Sequence, residues 1–160
     1  MDIRLRPLRD DELPHFIEQG KREYEGSLVE EAGLAPERAA TKTESDYAAL
    51  FPDGTRQPNQ RIYVLEDADS GDQVGRLFWA ERQPPDSAEP RCYLYDIQID
   101  ERFRGRGAGR EAMRLLEQEA RSVGLPGIDL NVWGANDVAR SLYRSLGFAE
   151  RAVFMSKELQ

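Results

Sequence analysis

Arg104-Gly105-Arg106-Gly107-Ala108-Gly109-Arg110 is the stretch whose residue types and spacing most plainly point to chemistry. Three glycines at alternate positions leave the backbone bare, so several peptide N–H groups can converge on one anion. The sequence predicts a helix opening directly from these glycines, and its N-terminus adds about half a positive charge at the same point. Arg104, Arg106 and Arg110 surround it. Bare amides, a helix dipole and fixed cations together form a cradle for a diphosphate. The chain is therefore expected to handle a phosphorylated cofactor.

The pattern around the glycines narrows the choice. A Walker loop needs Gly-Lys-Ser/Thr after four spacers, and neither the lysine nor the hydroxyl follows here. A dinucleotide fingerprint needs G-x-G-x-x-G tight against a strand end. Here the spacing is G-x-G-x-G, and Gly105 comes six positions after Ile99, the last residue of the expected strand. Asp129, about twenty residues past Gly109, imitates the ribose-binding acid of that fold, but the chain before Tyr93 lacks alternating strand and helix. A merely flexible turn is the plain alternative, and the three arginines count against it.

These residues need elements to place them. Ile3-Arg4-Leu5-Arg6 alternates like a strand, which Pro7 ends. Asp10 can cap a helix on which Leu13, Phe16, Ile17, Gly20 and Tyr24 share a face, and residues 26–33 read as an irregular acidic stretch. A second helix starts at Pro36 and keeps helical spacing through Ala40, Thr43, Tyr47 and Leu50 to Phe51. After a loop at 52–60, strands are expected at 61–66 and 74–80, joined by the turn Asp69-Ser70-Gly71-Asp72. A longer strand at 92–99 follows the loop at 83–90.

The central helix carries Ala108, Ala112, Leu115, Leu116, Ala120 and Val123 on one face. Gly124 and Pro126 stop it, and Glu117 and Arg121 form an i,i+4 pair. A short strand at 128–132 leads to a helix from about 136 to 146 that buries Val138, Ala139, Leu142 and Leu146, with Gly147 as its cap. A final strand is expected at 152–158. The order β-α-α-β-β-β-α-β-α-β predicts an α/β or α+β layered domain.

Composition bounds the partners. At 160 residues the chain suits one domain with a sizeable core. No apolar run approaches the roughly 20 residues of a membrane span, and the N-terminus lacks a signal-peptide apolar region. The single Cys92 cannot form an internal disulfide, which suits a reducing cytoplasm. It reads as a buried structural thiol. His15 has no second ligand candidate nearby, so no metal site is expected. A net charge of −8 argues against nucleic acid. The acidic group Glu18, Glu23, Glu25, Glu30 and Glu31 is either a solvated helix face or a field that attracts a cationic amine.

Arg104-x-x-Gly107-x-Gly109, preceded by Asp96-Ile97-Gln98-Ile99 and followed by a helix, resembles the pyrophosphate-binding signature of the GNAT family of N-acetyltransferases. The stretch from Asn131 through Trp133 to Asn136, followed by Ser141-Leu142-Tyr143-Arg144-Ser145-Leu146-Gly147-Phe148, resembles that family's closing strand and its N-x-x-A-x-x-x-Y-x-x-x-G-F helix. The match covers about residues 91–158, and the first ninety residues fit in their order of elements. The resemblance implies one N-acetyltransferase domain over residues 1–160. It also implies a mixed, mostly antiparallel sheet with helices on both faces and a splayed cleft for acetyl-CoA.

The resemblance further assigns roles. The backbone of Ile97, Gln98 and Ile99 would bond the acetyl carbonyl and the pantetheine arm. An N–H donor aimed at a developing oxyanion is typically worth ~3–4 kcal/mol. Arg104, Gly105, Arg106, Gly107, Ala108, Gly109 and Arg110 would hold the diphosphate of CoA. The amine would attack the thioester directly, with no acetyl-enzyme and no part for Cys92. Tyr143 matches the tyrosine that protonates the leaving thiolate, a plausible acid with its pKa near 10; a core aromatic is the plain alternative. Asn136 matches a position on the cofactor arm, and an ordinary N-cap explains it equally well. Trp133 either lines an acceptor tunnel or packs in a core or interface.

The general base is the open position. Family members that acetylate protein N-termini carry a glutamate where this chain has Asn131, and asparagine takes no proton at neutral pH. Asp96 matches an acidic position of members that acetylate polyamines, although the adjacent glutamate of their pair is Tyr95 here. It is a candidate base, or an anchor for a cation, or an ordinary strand aspartate. The expected function is acetyl transfer from acetyl-CoA to a small cationic amine in the cytoplasm. Peptide or protein N-terminal acetylation and a non-catalytic acyl-CoA-binding module stand as alternatives. The expected partner is a small-molecule amine, without nucleic acid or membrane, and a homodimer is left open.

Overall fold

Alternating apolar residues in three long strands give the sheet two buried faces, and each face recruits its own helices. A computed structural model of the chain describes residues 1–160. The strands are β1 (Ile3–Pro7), β2 (Gln60–Asp67), β3 (Gln73–Arg82), β4 (Arg91–Ile99) and β5 (Ile128–Leu130). They lie in sequence order across the sheet, antiparallel except for the parallel pair β4–β5. The helices are α1 (Leu13–Glu30), α2 (Pro36–Leu50), α3 (Ala108–Ser122) and α4 (Asp137–Ser145). The result is a mixed α/β fold with a five-stranded, mostly antiparallel sheet, and no helix is long and apolar enough to cross a membrane.

Successive β3 residues show how the layers form. Leu77 and Trp79 point into a cluster with Cys92, Leu94, Ala112, Met113 and Leu116, which places α3 on that face. Phe78 points the other way, into a cluster with Phe16, Ile17 and Phe51 from the α1–α2 side. Those two helices approach closely at Gly20, where a Cβ would sit 2.5 Å from the Tyr47 hydroxyl.

Two features of β3 and β4 shape the site. A bulge makes Phe78 face Asp96 while Trp79 faces Leu94, so Tyr95 is the extra residue. Cys92 and Leu94 face α3 before the bulge, and Ile97 and Ile99 face it afterwards. Asp96 is thereby turned to the α1–α2 side. The second feature is Gly75, where a Cβ would lie 2.0 Å from the Gln98 carbonyl oxygen. Backbone cannot yield as a flexible side chain does. Gly75→Ala should therefore cost about 3 kcal/mol or more, lowering the melting temperature by roughly 6–12 °C. An unchanged thermal transition would contradict this close approach.

Several expectations need correction. Residues 26–30 continue α1, because Leu28 is buried and holds the last turn against the body. Val138, expected in the core, is 85% exposed, and Val123 also faces outward. β5 stops at Leu130, short of the expected Val132. Residues 152–158 form no strand, since no neighbouring strand receives their backbone.

Candidate active site

The pairing of β4 with β5 runs from Cys92↔Ile128 to Leu94↔Leu130 and then ends. Beyond it, β4 is bonded on one side only, and a gap opens along Tyr95, Asp96, Ile97, Gln98 and Ile99. Ladder phase decides which groups face that gap. Asp100 donates its N–H to the Val74 carbonyl at 2.8 Å, so the bonded pairs fall at alternate positions and include Arg76↔Gln98. Ile97 and Ile99 therefore turn their N–H and C=O groups into the gap. The Ile99 carbonyl accepts Arg104 Nε there at 2.9 Å. Gln98 is a correction to the sequence reading: its backbone belongs to the sheet, with its carbonyl against Gly75.

The glycine loop sits at the mouth of this gap. Gly105 and Gly107 have φ of +73° and +82°, in the region where a side chain is strained. No heavy atom lies within 4 Å of the Cβ position of either. Gly107 is the N-cap of α3 and supplies no side-chain bond to the first turn. The first backbone bond of the helix is Glu111 N–H to Gly107 O at 3.0 Å, which leaves the amides of Ala108, Gly109 and Arg110 unused by the helix. Gly109 has a different task. Its Cβ position is 3.4 Å from Leu142 Cδ2, so the glycine lets α4 approach α3.

The arginines divide their work. Arg102 and Arg106 lie over the Phe103 ring at 4.5 and 5.8 Å. Arg110 ties α3 to α4 through Ser145 Oγ at 2.7 Å. Glu111, an acid in the first helical turn, is neutralised by a two-point pair with Arg114 at 2.8 and 2.6 Å. The loop thus stays cationic and its amides stay free.

Tyr143 projects from α4 and packs its half-buried ring on Phe148, with centroids 5.6 Å apart. Burial raises the phenol's pKa, and the nearby charge of Asp96 raises it further. The phenol keeps its proton at neutral pH. Asp96 accepts Arg76 Nε at 2.5 Å, and the buried Arg76 also binds Glu23 of α1. Burial raises the Asp96 carboxyl above its ordinary value, against the lowering effect of Arg76.

Around this carboxylate stands an aromatic wall on the α1–α2 side. Tyr24 and Tyr47 lie 6.0 Å apart, and Tyr93 and Tyr95 lie 4.7 Å apart. Tyr24 donates to Asp46 at 2.6 Å. Asn131 Nδ2 donates to the Tyr93 hydroxyl at 2.5 Å.

Other candidates have structural duties. Asn136 caps α4 by accepting Ala139 N–H at 3.1 Å. Asp129 is forked to Arg91 at 2.8 and 3.0 Å, which disposes of the ribose-binding imitation. Cys92 is buried, with its thiol pushed up to about 12 chiefly by burial, so it is no nucleophile. Sequence reasoning missed Gly75, Arg76 and Tyr47. A glycine and an arginine inside an apolar strand were the available signals.

Comparison with known proteins follows the same lines. The family model described as "Acetyltransferase (GNAT) family" matches residues 14–148. The uncharacterized N-acetyltransferase YycN of Bacillus subtilis (strain 168) is 31% identical over 159 residues, covering 99% of this chain and 100% of the relative. The crystal structure of YycN matches with a TM-score of 0.88 at 29% identity, over 99% of each chain. At 17% identity, AAC(6')-Iy in complex with the bisubstrate analog CoA-S-monomethyl-acetylneamine shares the fold, with a TM-score of 0.60 over 99% of this chain and 100% of that one. An aminoglycoside acetyltransferase from an uncultured soil metagenomic sample, in complex with sisomicin, does so at 21% identity and a TM-score of 0.62, over 99% and 97%.

Proposed function

Because the chain belongs to the GNAT family of acetyltransferases, we propose that it transfers an acetyl group from acetyl-CoA to a small cationic amine by direct attack in a ternary complex. The observation that carries this reading is the conjunction of an unpaired β4 edge, a glycine loop with free first-turn amides, and a carboxylate set in an aromatic wall. The cradle fits CoA: the amides of Ala108, Gly109 and Arg110 suit its diphosphate, and the outward backbone of Ile97 and Ile99 suits its pantetheine arm. Acetyl-CoA supplies the activated thioester.

The chain's own groups supply the rest. Ile97 N–H polarises the acetyl oxygen. Tyr143 gives its proton to the departing sulfur. Asp96 draws the ammonium and accepts its proton, directly or through one water. Tyr24, Tyr47, Tyr93 and Tyr95 present ring faces to the cation, a contact worth about 0.5–2 kcal/mol. Two fold neighbours are bound to aminoglycoside-type amines, which is in keeping with such an acceptor. Asn131 engages Tyr93 and offers no base, which weakens the peptide-acceptor alternative.

Asp96 gives a prediction with a sign. Its carboxyl titrates above the ordinary range, so the acidic limb of kcat/KM should lie above the usual carboxylate pKa of about 4. Activity should fall as pH drops through that value. Asp96→Asn should abolish or displace the limb and leave CoA affinity nearly unchanged. A pH profile superimposable on wild type returns Asp96 to a purely structural pair with Arg76.

The acceptor class is tested by initial rates over an amine panel. Diamines and aminoglycosides should exceed uncharged-tail monoamines and peptide N-termini by about tenfold or more in kcat/KM. Equal values across the panel would overturn the cationic acceptor.

A further inference from the structure

One chain holds both halves of an unmade strand pairing. β5 is the last strand of the sheet: it pairs with β4 on its inner side, and its outer edge carries no strand. Residues 149–160 form no helix or strand, and the final backbone bond before them is Phe148 N–H to Tyr143 O at 3.0 Å. Within that stretch Val153, Phe154, Met155 and Leu159 are 70, 94, 85 and 87% exposed. Ala152-Val153-Phe154-Met155 is strand-forming by residue type.

The exposed apolar surface is concentrated here. Of nine exposed large apolar side chains in the molecule, seven fall between residues 132 and 159. Val132, Trp133 and Val138 follow β5 or begin α4, and the other four are on the segment itself. α4 buries no residue completely, although its sequence is strongly amphipathic. Glu150 fixes the exit of the segment, bonded to Arg140 at 2.5 Å and Arg144 at 2.8 Å, so the chain leaves along α4.

We infer that residues 152–158 pair with the outer β5 edge of a second copy of this chain, whose own segment pairs reciprocally with the first. A second copy suits the surface because each chain contributes one free edge and one free strand. Two copies related by a two-fold axis satisfy both needs and leave no edge over. A different partner would supply a strand for β5 yet leave Val153, Phe154 and Met155 uncovered. The exchange also covers Trp133 and Val138 and braces α4, the helix that carries Tyr143.

Light scattering on the full chain at micromolar concentration should give twice the monomer mass of 18.2 kDa. Hydrogen exchange should show amides 152–158 slowed by about tenfold or more, with the protection lost on dilution to monomer. The double variant Phe154→Asp, Met155→Lys should be monomeric with an unchanged circular dichroism spectrum, since both side chains are exposed. Monomer mass at all concentrations overturns the inference, including the case where the segment is protected by folding onto its own β5. A dimer whose amides 152–158 exchange at coil rates overturns it too. So does a dimer that persists in the folded double variant. Should the variant misfold, the wild-type exchange data decide alone.

Discussion

Tyr143→Phe should lower kcat by ~10² to 10⁴ while changing affinity for acetyl-CoA far less. The ring keeps its contact with Phe148, whose centroid lies 5.6 Å away, so packing is preserved and only the hydroxyl is lost. Burial and the charge of Asp96 both hold that hydroxyl protonated, which is the state a proton donor needs. A thiolate leaving without a donor must wait for water, and the cost falls on the chemical step. Saturating-substrate kinetics read it directly. Full turnover in this variant would reduce Tyr143 to a core aromatic.

Gly107→Glu should weaken CoA binding by about 10²-fold, with the fold intact. A Cβ at this site meets no atom within 4 Å, so sterics within the protein permit it. The φ of +82° strains any residue other than glycine, at about 1–2 kcal/mol. The larger effect is electrostatic. A carboxylate would enter the space where the free amides of α3 converge, exchanging attraction for repulsion at a helix N-terminus. Losing charge-assisted bonds worth about 1.5–3 kcal/mol accounts for the expected factor. Calorimetry with CoA measures it, and an unchanged Kd in the folded variant rejects the loop as the diphosphate site.

The two halves of the molecule were not equally readable. The order of elements as far as α4 follows from local signals: Pro36 opening α2, the apolar face of α3, and Gly147 closing α4 at φ +92°. The glycine loop was legible because glycine spacing and arginine charge are properties of consecutive residues. What stayed hidden depends on partners far along the chain. The bulge at Tyr95 exists only through the register of β3 on β4, and it decides which face receives Asp96. Arg76 joins Asp96 to Glu23, a residue 53 positions away, and no pattern within one strand announces that. Strand preference at 152–158 was read from residue types, but a strand also needs a neighbour, and the chain by itself provides none at that position.

The ring wall illustrates the same division. Tyr93 and Tyr95 were visible as strand aromatics. Their meeting with Tyr24 and Tyr47 required α1 and α2 to pack through Gly20, and that contact is tertiary. Acidic residues in the first half also sort themselves only in three dimensions. Glu44 is paired with Lys21 at 3.1 Å, whereas Asp46 and Asp96 stand among the tyrosines.

The central claim is acetyl transfer to an amine, and one assay meets it most directly. The protein is mixed with acetyl-CoA and a diamine, free CoA thiol is followed continuously, and the amine product is weighed by mass spectrometry. Thiol release should require the amine, saturate in both substrates with intersecting double-reciprocal lines, and match the acetylated amine one for one. CoA that binds the protein but gives no amine-dependent thiol release across the amine panel would contradict it, and would make the chain an acyl-CoA-binding module.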